Sequence, residues 1–238
     1  MDVFQHAEGD DFFYPDGLIA VTAIDQLTQL AAQQKPFFLA VGILKPHLPF
    51  GSPKSYYDLY EGISLPPINH PVKPNGKSTW HPSGEFMKYN RWGKDPNEDT
   101  AFSEEVRRHY AAAVSYADAQ VGKVLQALKQ SGADKNTIVV LCGDHGWHLG
   151  DHGQWAKHSN FEQATRSPLI IVDSKTKKNN FNSSPTEFID VFPTLVELSG
   201  LQTPDNLQGK SLVPILNGKS KKVKDYAVSQ YPRGKAMG

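Results

Sequence analysis

The stretch Gly143-Asp144-His145-Gly146-Trp147-His148-Leu149-Gly150-Asp151-His152-Gly153-Gln154-Trp155-Ala156-Lys157 is the densest run of polar and titratable side chains in the sequence. A carboxylate beside an imidazole, with glycines on both sides that let the backbone approach an ion closely, suits a metal site whose other ligands come from elsewhere. A capped turn with a packed histidine is the plainer reading of Asp144 and His145, and spacing alone leaves both open. His148 and His152 lack the spacing and helical setting of a zinc motif and are not assigned as ligands. Lys157, 13 residues after Asp144, could reach back as a compact positive charge to an anionic ligand, or could simply be solvated. A second chemically interesting stretch, Lys45-Pro46-His47-Leu48-Pro49-Phe50, sets one histidine between two prolines. Trp147 and Trp155 suit either a core or a sugar-binding face.

Each stretch follows an apolar run that reads as a buried strand, Phe37–Ile43 and Thr137–Cys142. That places both where open α/β sheets bind ligands, beyond the carboxyl ends of the strands. Leu18, Ile19, Val21, Ile24, Leu27 and Leu30, spaced by threes and fours, predict an amphipathic helix over Asp16–Ala32. A longer helix is expected from about Ser103, as its N-cap, to Gln130, with Gly132 ending it. Pro168–Val172 predicts another strand, and Asp190 the N-cap of a last helix that closes at Gly200. Nine of the 17 prolines fall between Pro46 and Pro96, which marks a long surface excursion over 44–102. The alternation is that of an α/β protein with a mainly parallel sheet flanked by helices. Lys219, Lys221, Lys222 and Lys224 in the tail read as a solvated surface.

Lys and Arg number 25 and Asp and Glu number 25, a formal charge of zero, which argues against non-specific binding of nucleic acid or anionic membrane. The longest apolar stretch, Phe37 to Leu44, is far short of the roughly 18 residues that span a bilayer. One cysteine, Cys142, excludes an internal disulfide. Met1 to His6 shows no basic region followed by an apolar one, so no secretory signal is visible. Oligomeric state is not legible.

Three stretches carry a family resemblance: Pro36 to Phe50, Gly143 to Trp147 with Gly153 to Lys157, and Ser229-Gln230-Tyr231-Pro232-Arg233. In this order they resemble the sulfatase family, and within it the iduronate-2-sulfatase branch and its bacterial relatives. The resemblance implies an alkaline-phosphatase-like α/β fold that hydrolyses sulfate esters, usually on sugars, with a bound divalent cation, calcium or alternatively magnesium. It implies that Asp144 and His145 are metal ligands, that Lys157 contacts the sulfate, and that His47 lies beside it as a contact or proton donor. Lys45 and Trp147, in the same motifs, are assigned with them to substrate binding.

The family nucleophile is a formylglycine made from Cys or Ser in a Cys/Ser-x-Pro/Ala-x-Arg motif, and no such motif occurs here. Cys142 precedes Gly143-Asp144-His145, and Ser183-Ser184-Pro185 has no following arginine. Asp10-Asp11 follow no buried strand and are not the family's paired acidic ligands. The chain is therefore expected to be a fragment incomplete at both ends, with 1–209 the later part of the catalytic domain and 210–238 the start of the C-terminal region. Its parent would act on a sulfated saccharide or another sulfate ester, the isolated chain would be inactive, and the location would be periplasmic, lysosomal or secreted, as in the family. The rival readings are a phosphodiesterase or phosphonate hydrolase of the same superfamily and a non-catalytic anion- or glycan-binding remnant.

Overall fold

The computed structural model describes residues 1–33, 35–175, 181–233 and 236–237. In chain order the elements are β1 (Phe4–Ala7), α1 (Pro15–Ala32), β2 (Phe50–Pro53), α2 (Lys54–Tyr57), α3 (Gly84–Met87), α4 (Thr100–Gln130), β3 (Val139–Cys142), α5 (Glu162–Thr165), β4 (Leu169–Val172), α6 (Val191–Leu198), α7 (Val213–Leu216), β5 (Pro232–Arg233) and β6 (Ala236–Met237). They divide into two units, Met1–Ala133 with His145–Arg166 and Asp134–Asp144 with Ser167–Gly238. Among the described residues no helix is long and apolar enough to cross a membrane.

In the first unit β1 and β2 pair in parallel, Phe4 opposite Phe50 and Ala7 opposite Pro53. Helix α4 packs against both α1 and β2. Val3, Leu48, Phe50, Phe86, Phe102, Val106 and Trp155 form the buried apolar cluster. Pro15 opens α1, where its missing N–H is no loss. Gly17 follows because a Cβ there would lie 2.1 Å from the Asp11 carbonyl oxygen. Its N–H donates to the Tyr116 hydroxyl of α4 at 2.7 Å, which ties the two helices together.

Helix α4 starts three residues before the expected N-cap. Asp99, with extended backbone, accepts from the Phe102 N–H at 2.9 Å, and Ser103 is buried inside the first turns. Phe102, one period before Val106 and buried beside it, already belongs to the apolar stripe, so the helix must begin ahead of Ser103, and the Asp99 carboxylate provides the stronger cap.

The run Phe37–Ile43 is not a strand: it pairs with no other segment among the described residues, and Phe38 is 82% exposed. An apolar run signals burial potential, but a strand also needs a neighbour's N–H and C=O groups along its edge. The strands that do form, β1 and β2, are built from Phe-Gln-His-Ala and Phe-Gly-Ser-Pro, which neither alternate nor run apolar. The excursion over 44–102 is otherwise irregular, interrupted by α2, α3 and a short 3-10 turn at Asp58–Tyr60.

In the second unit β3 and β4 pair antiparallel, Val139 opposite Val172 and Cys142 opposite Leu169. Composition reports that a strand is apolar and not which way its neighbour runs. The only α-helix between them in sequence, α5, is one turn long, far less than a parallel crossover uses. Asp190 precedes α6 but makes no side-chain cap to it. It is fully buried, and its carboxylate accepts from the Glu187 and Lys210 N–H groups, each at 2.8 Å. Lys224 closes this network, its ammonium 2.7 Å from Asp190 and 2.5 Å from Glu187. Burial would lower the Lys224 pKa, yet the hydrogen bonds it donates to Asp190 and Glu187 hold it above the ordinary value. Lys224 is thus a structural cation and not part of a solvated lysine face.

His109 of α4 is 2% exposed, stacked on Phe4 at 4.1 Å, with its Nε2 3.1 Å from His6 Nδ1. Burial pushes its pKa down to about 4, and burial does the same to His148. On acidification the unfolded chain takes up these protons near its ordinary histidine value while the folded chain does not, so stability falls as pH drops from about 6.5 toward 4. Between pH 7 and pH 5 the expected loss is about 2 kcal/mol for each of the two histidines. Urea unfolding across that range should show the slope, and His109→Gln should remove about half of it.

Candidate functional site

The loop that carries His47 is placed by Asp16 in the first turn of α1. This carboxylate is fully buried and accepts the N–H groups of Leu44 and Lys45, both at 2.9 Å. Charge-assisted bonds to two successive amides fix the direction in which the chain enters Pro46 and His47. The Lys45–Pro46 and Leu48–Pro49 peptide bonds are both cis. Lys45 turns back on its own loop, its ammonium donating to the Pro49 carbonyl at 2.7 Å. Burial pulls the Lys45 pKa below the ordinary value, against the attraction of Asp16.

His47 Nδ1 lies 2.9 Å from the Leu48 carbonyl. Because a carbonyl only accepts, that contact places the proton on Nδ1 and leaves the Nε2 lone pair facing outward. Lys157 meets that lone pair, Nζ to Nε2 at 2.8 Å. Two residues 110 apart in sequence, each singled out for its chemistry, are therefore in direct contact. The Lys157 ammonium also lies 5.3 Å from the Trp147 ring centroid and 3.3 Å from Glu85 Oε1. The same carboxylate oxygen is 3.6 Å from His47 Nε2, and Oε2 is 3.7 Å from His158 Nδ1. Burial holds the His158 imidazole below its ordinary pKa range, against the pull of Glu85.

Glu85 and His158 were not legible as site residues. Glu85 lies in the proline-rich excursion, on a four-residue helix with no periodic signal, and His158 was one more histidine in a dense run. What holds them is hydrogen bonding between distant segments. The Ser83 hydroxyl accepts the Trp155 N–H at 2.8 Å, and the Gln154 side chain donates to the His81 carbonyl at 3.2 Å. Phe86 and Trp155 pack side by side and are both fully buried. Trp155 is thus a core residue, while the half-buried Trp147 lies beneath the cation. His148 is spent internally, bonded to the Ser159 hydroxyl at 2.9 Å.

Asp144 and His145 follow β3 and are both exposed. His145 Nδ1 lies 2.8 Å from the Gly146 carbonyl, which again places the proton on Nδ1 and makes Nε2 the electron-pair donor. A carboxylate and an imidazole adjacent in sequence are ligand types for a divalent cation, but they are two donors. No group of three His, Cys, Asp or Glu is gathered for a metal among the described residues. Gly146 is required behind them, since a Cβ there would lie 2.1 Å from the Gln163 carbonyl oxygen.

Comparison with known proteins is consistent across sequence and structure. The sulfatase family model matches residues 3–201. A sulfatase of Formosa agariphila is 38% identical over 209 residues, covering 83% of this chain and 39% of that protein. Human iduronate 2-sulfatase is 33% identical, covering 98% of this chain and 52% of its own length. A solved structure described as a sulfatase of Bacteroides fragilis superposes with a TM-score of 0.70 at 26% identity, covering 92% of this chain and 44% of the other. The chain thus spans about two fifths to one half of the length of these relatives.

Asp16 is the element of this arrangement whose removal is expected to be most disruptive. Asp16→Ala leaves two part-buried amides without an acceptor and should lower unfolding free energy by about 1–3 kcal/mol. Denaturant titration of the variant measures this, and Asp16→Asn, which keeps one acceptor, should fall between the two.

Proposed function

The chain belongs to the sulfatase family, and from that premise we propose that it forms the part of a sulfate-ester hydrolase that grips the sulfate group and manages the proton beside it. The observation that carries this reading is the 2.8 Å contact between Lys157 Nζ and His47 Nε2. Lys157 supplies a compact cation for the sulfate oxygens, and Trp147 flanks it with an aromatic face. His47 Nε2 is the atom at which a proton is held or released to the departing alkoxide, with Nδ1 tied to Leu48 so that the ring cannot turn. Lys45 shapes the loop around His47 through its bond to Pro49.

Asp144 and His145 would hold a divalent cation, calcium or magnesium, which supplies charge neutralisation of the sulfate oxygens when bound. The nucleophile is provided outside these 238 residues, since no Cys/Ser-x-Pro/Ala-x-Arg motif occurs among them. A sulfated saccharide is the substrate class, a reading supported by the relative whose name specifies iduronate sulfate.

In the enzyme that carries this chain, Lys157→Ala and His47→Ala should each lower kcat/KM for an aryl sulfate by about 10²–10³-fold. Assays on phosphonate monoesters and phosphodiesters belong beside it, and a preference for either over the sulfate would replace this reading. The 238-residue chain alone should show no turnover, and sulfate-ester hydrolysis by it would overturn the assignment of the nucleophile to another segment.

A further inference from the structure

A carboxylate in the grip of an anion site calls for a reason. Glu85 Oε1 is 3.3 Å from the Lys157 ammonium, and its Oε2 is buried and makes no hydrogen bond among the described residues. Nothing about core packing requires this, because the neighbouring Phe86 fills the apolar cluster and the turn is held through Ser83. Resting on the sulfate-ester reading above, we propose that Glu85 is a specificity-determining residue that tunes the site to singly charged esters and rejects doubly charged ones.

The argument is one of charge count. His47 accepts from Lys157 and is neutral in this arrangement. His158, held below its ordinary range by burial, is neutral as well. Lys157 and Glu85 then cancel, so these four side chains together carry no net charge. An ester that touches the ammonium lies within about 6 Å of the carboxylate, close enough for a second negative charge to be felt strongly in a half-buried site. A sulfate monoester carries one negative charge and a phosphate monoester of the same shape carries two above neutral pH. The backbone that carries Glu85 is anchored to the segment it faces. Ser83, in the left-handed region at φ 55°, starts its helix, and the Ser83–Trp155 bond fixes that turn to the segment bearing Lys157.

The test compares phenyl sulfate with phenyl phosphate at pH 8, matched in shape and differing in charge. Binding to the 238-residue chain is followed by NMR titration for the wild type, Glu85→Gln, Glu85→Asp and Lys157→Ala. The wild type should favour phenyl sulfate. Glu85→Gln should tighten phenyl phosphate about tenfold relative to phenyl sulfate, whereas Glu85→Asp, which keeps the charge, should retain the wild-type ratio. An unchanged ratio in Glu85→Gln, or an equal change in Glu85→Gln and Glu85→Asp, would overturn the proposal while leaving the sulfate-ester reading in place. Binding that survives Lys157→Ala, or a wild type that binds neither ester, would instead remove the anion site and the proposal with it.

Discussion

The buried carboxylate of Asp16 is the constraint on which the candidate site depends. It lies at the start of α1 and reaches across 28 residues of sequence to hold the Leu44 and Lys45 amides. An ionised group can stay buried there because it is met by backbone donors and stands in the first turn of a helix, where the peptide dipoles favour negative charge. Helix α1 is in turn held to α4 through the Gly17 amide and the Tyr116 hydroxyl. The position of His47 is therefore inherited from helix packing well away from it, and not from the loop's own preferences.

A second tie works in the same way from the other side. Trp155 is locked into the core by Phe86, by the Ser83 hydroxyl on its amide, and by Asn97 on its indole N–H at 3.0 Å. Lys157 follows two residues later, so its stem leaves a rigid wall. The contact between Lys157 and His47 is where these two chains of constraint meet. Groups held this way need little rearrangement when charge develops beside them, which is the preorganisation that anion chemistry rewards.

Much of this was legible because the signals were local. The helical period over Asp16–Ala32 locates α1 but not its buried side, which is Asp16, Gly17, Ala20, Ala23 and Leu27 while Leu18 and Val21 are exposed, and the Lys-Pro-His and Trp-Ala-Lys stretches lie in two runs rich in titratable groups. Glu85 was not legible, because its role comes from closeness to residues far away in sequence. The run Phe37–Ile43 misled for a related reason: apolar content says what a segment could bury and not whether a neighbouring edge lies alongside it. Lys224 shows the converse, since a lysine among lysines in sequence is the buried counter-ion of Asp190 and Glu187 in space.

The seating of the Lys157 ammonium above the Trp147 ring has an optical consequence. Indole emission responds to the local electric field, and a positive charge at one face of the ring sets its wavelength. An anion that takes up that charge alters the field, so the chain carries an intrinsic fluorophore beside the group expected to grip the ester. Trp155, sealed in the core with no exposed surface, would supply a steady reference against which the change in colour is read.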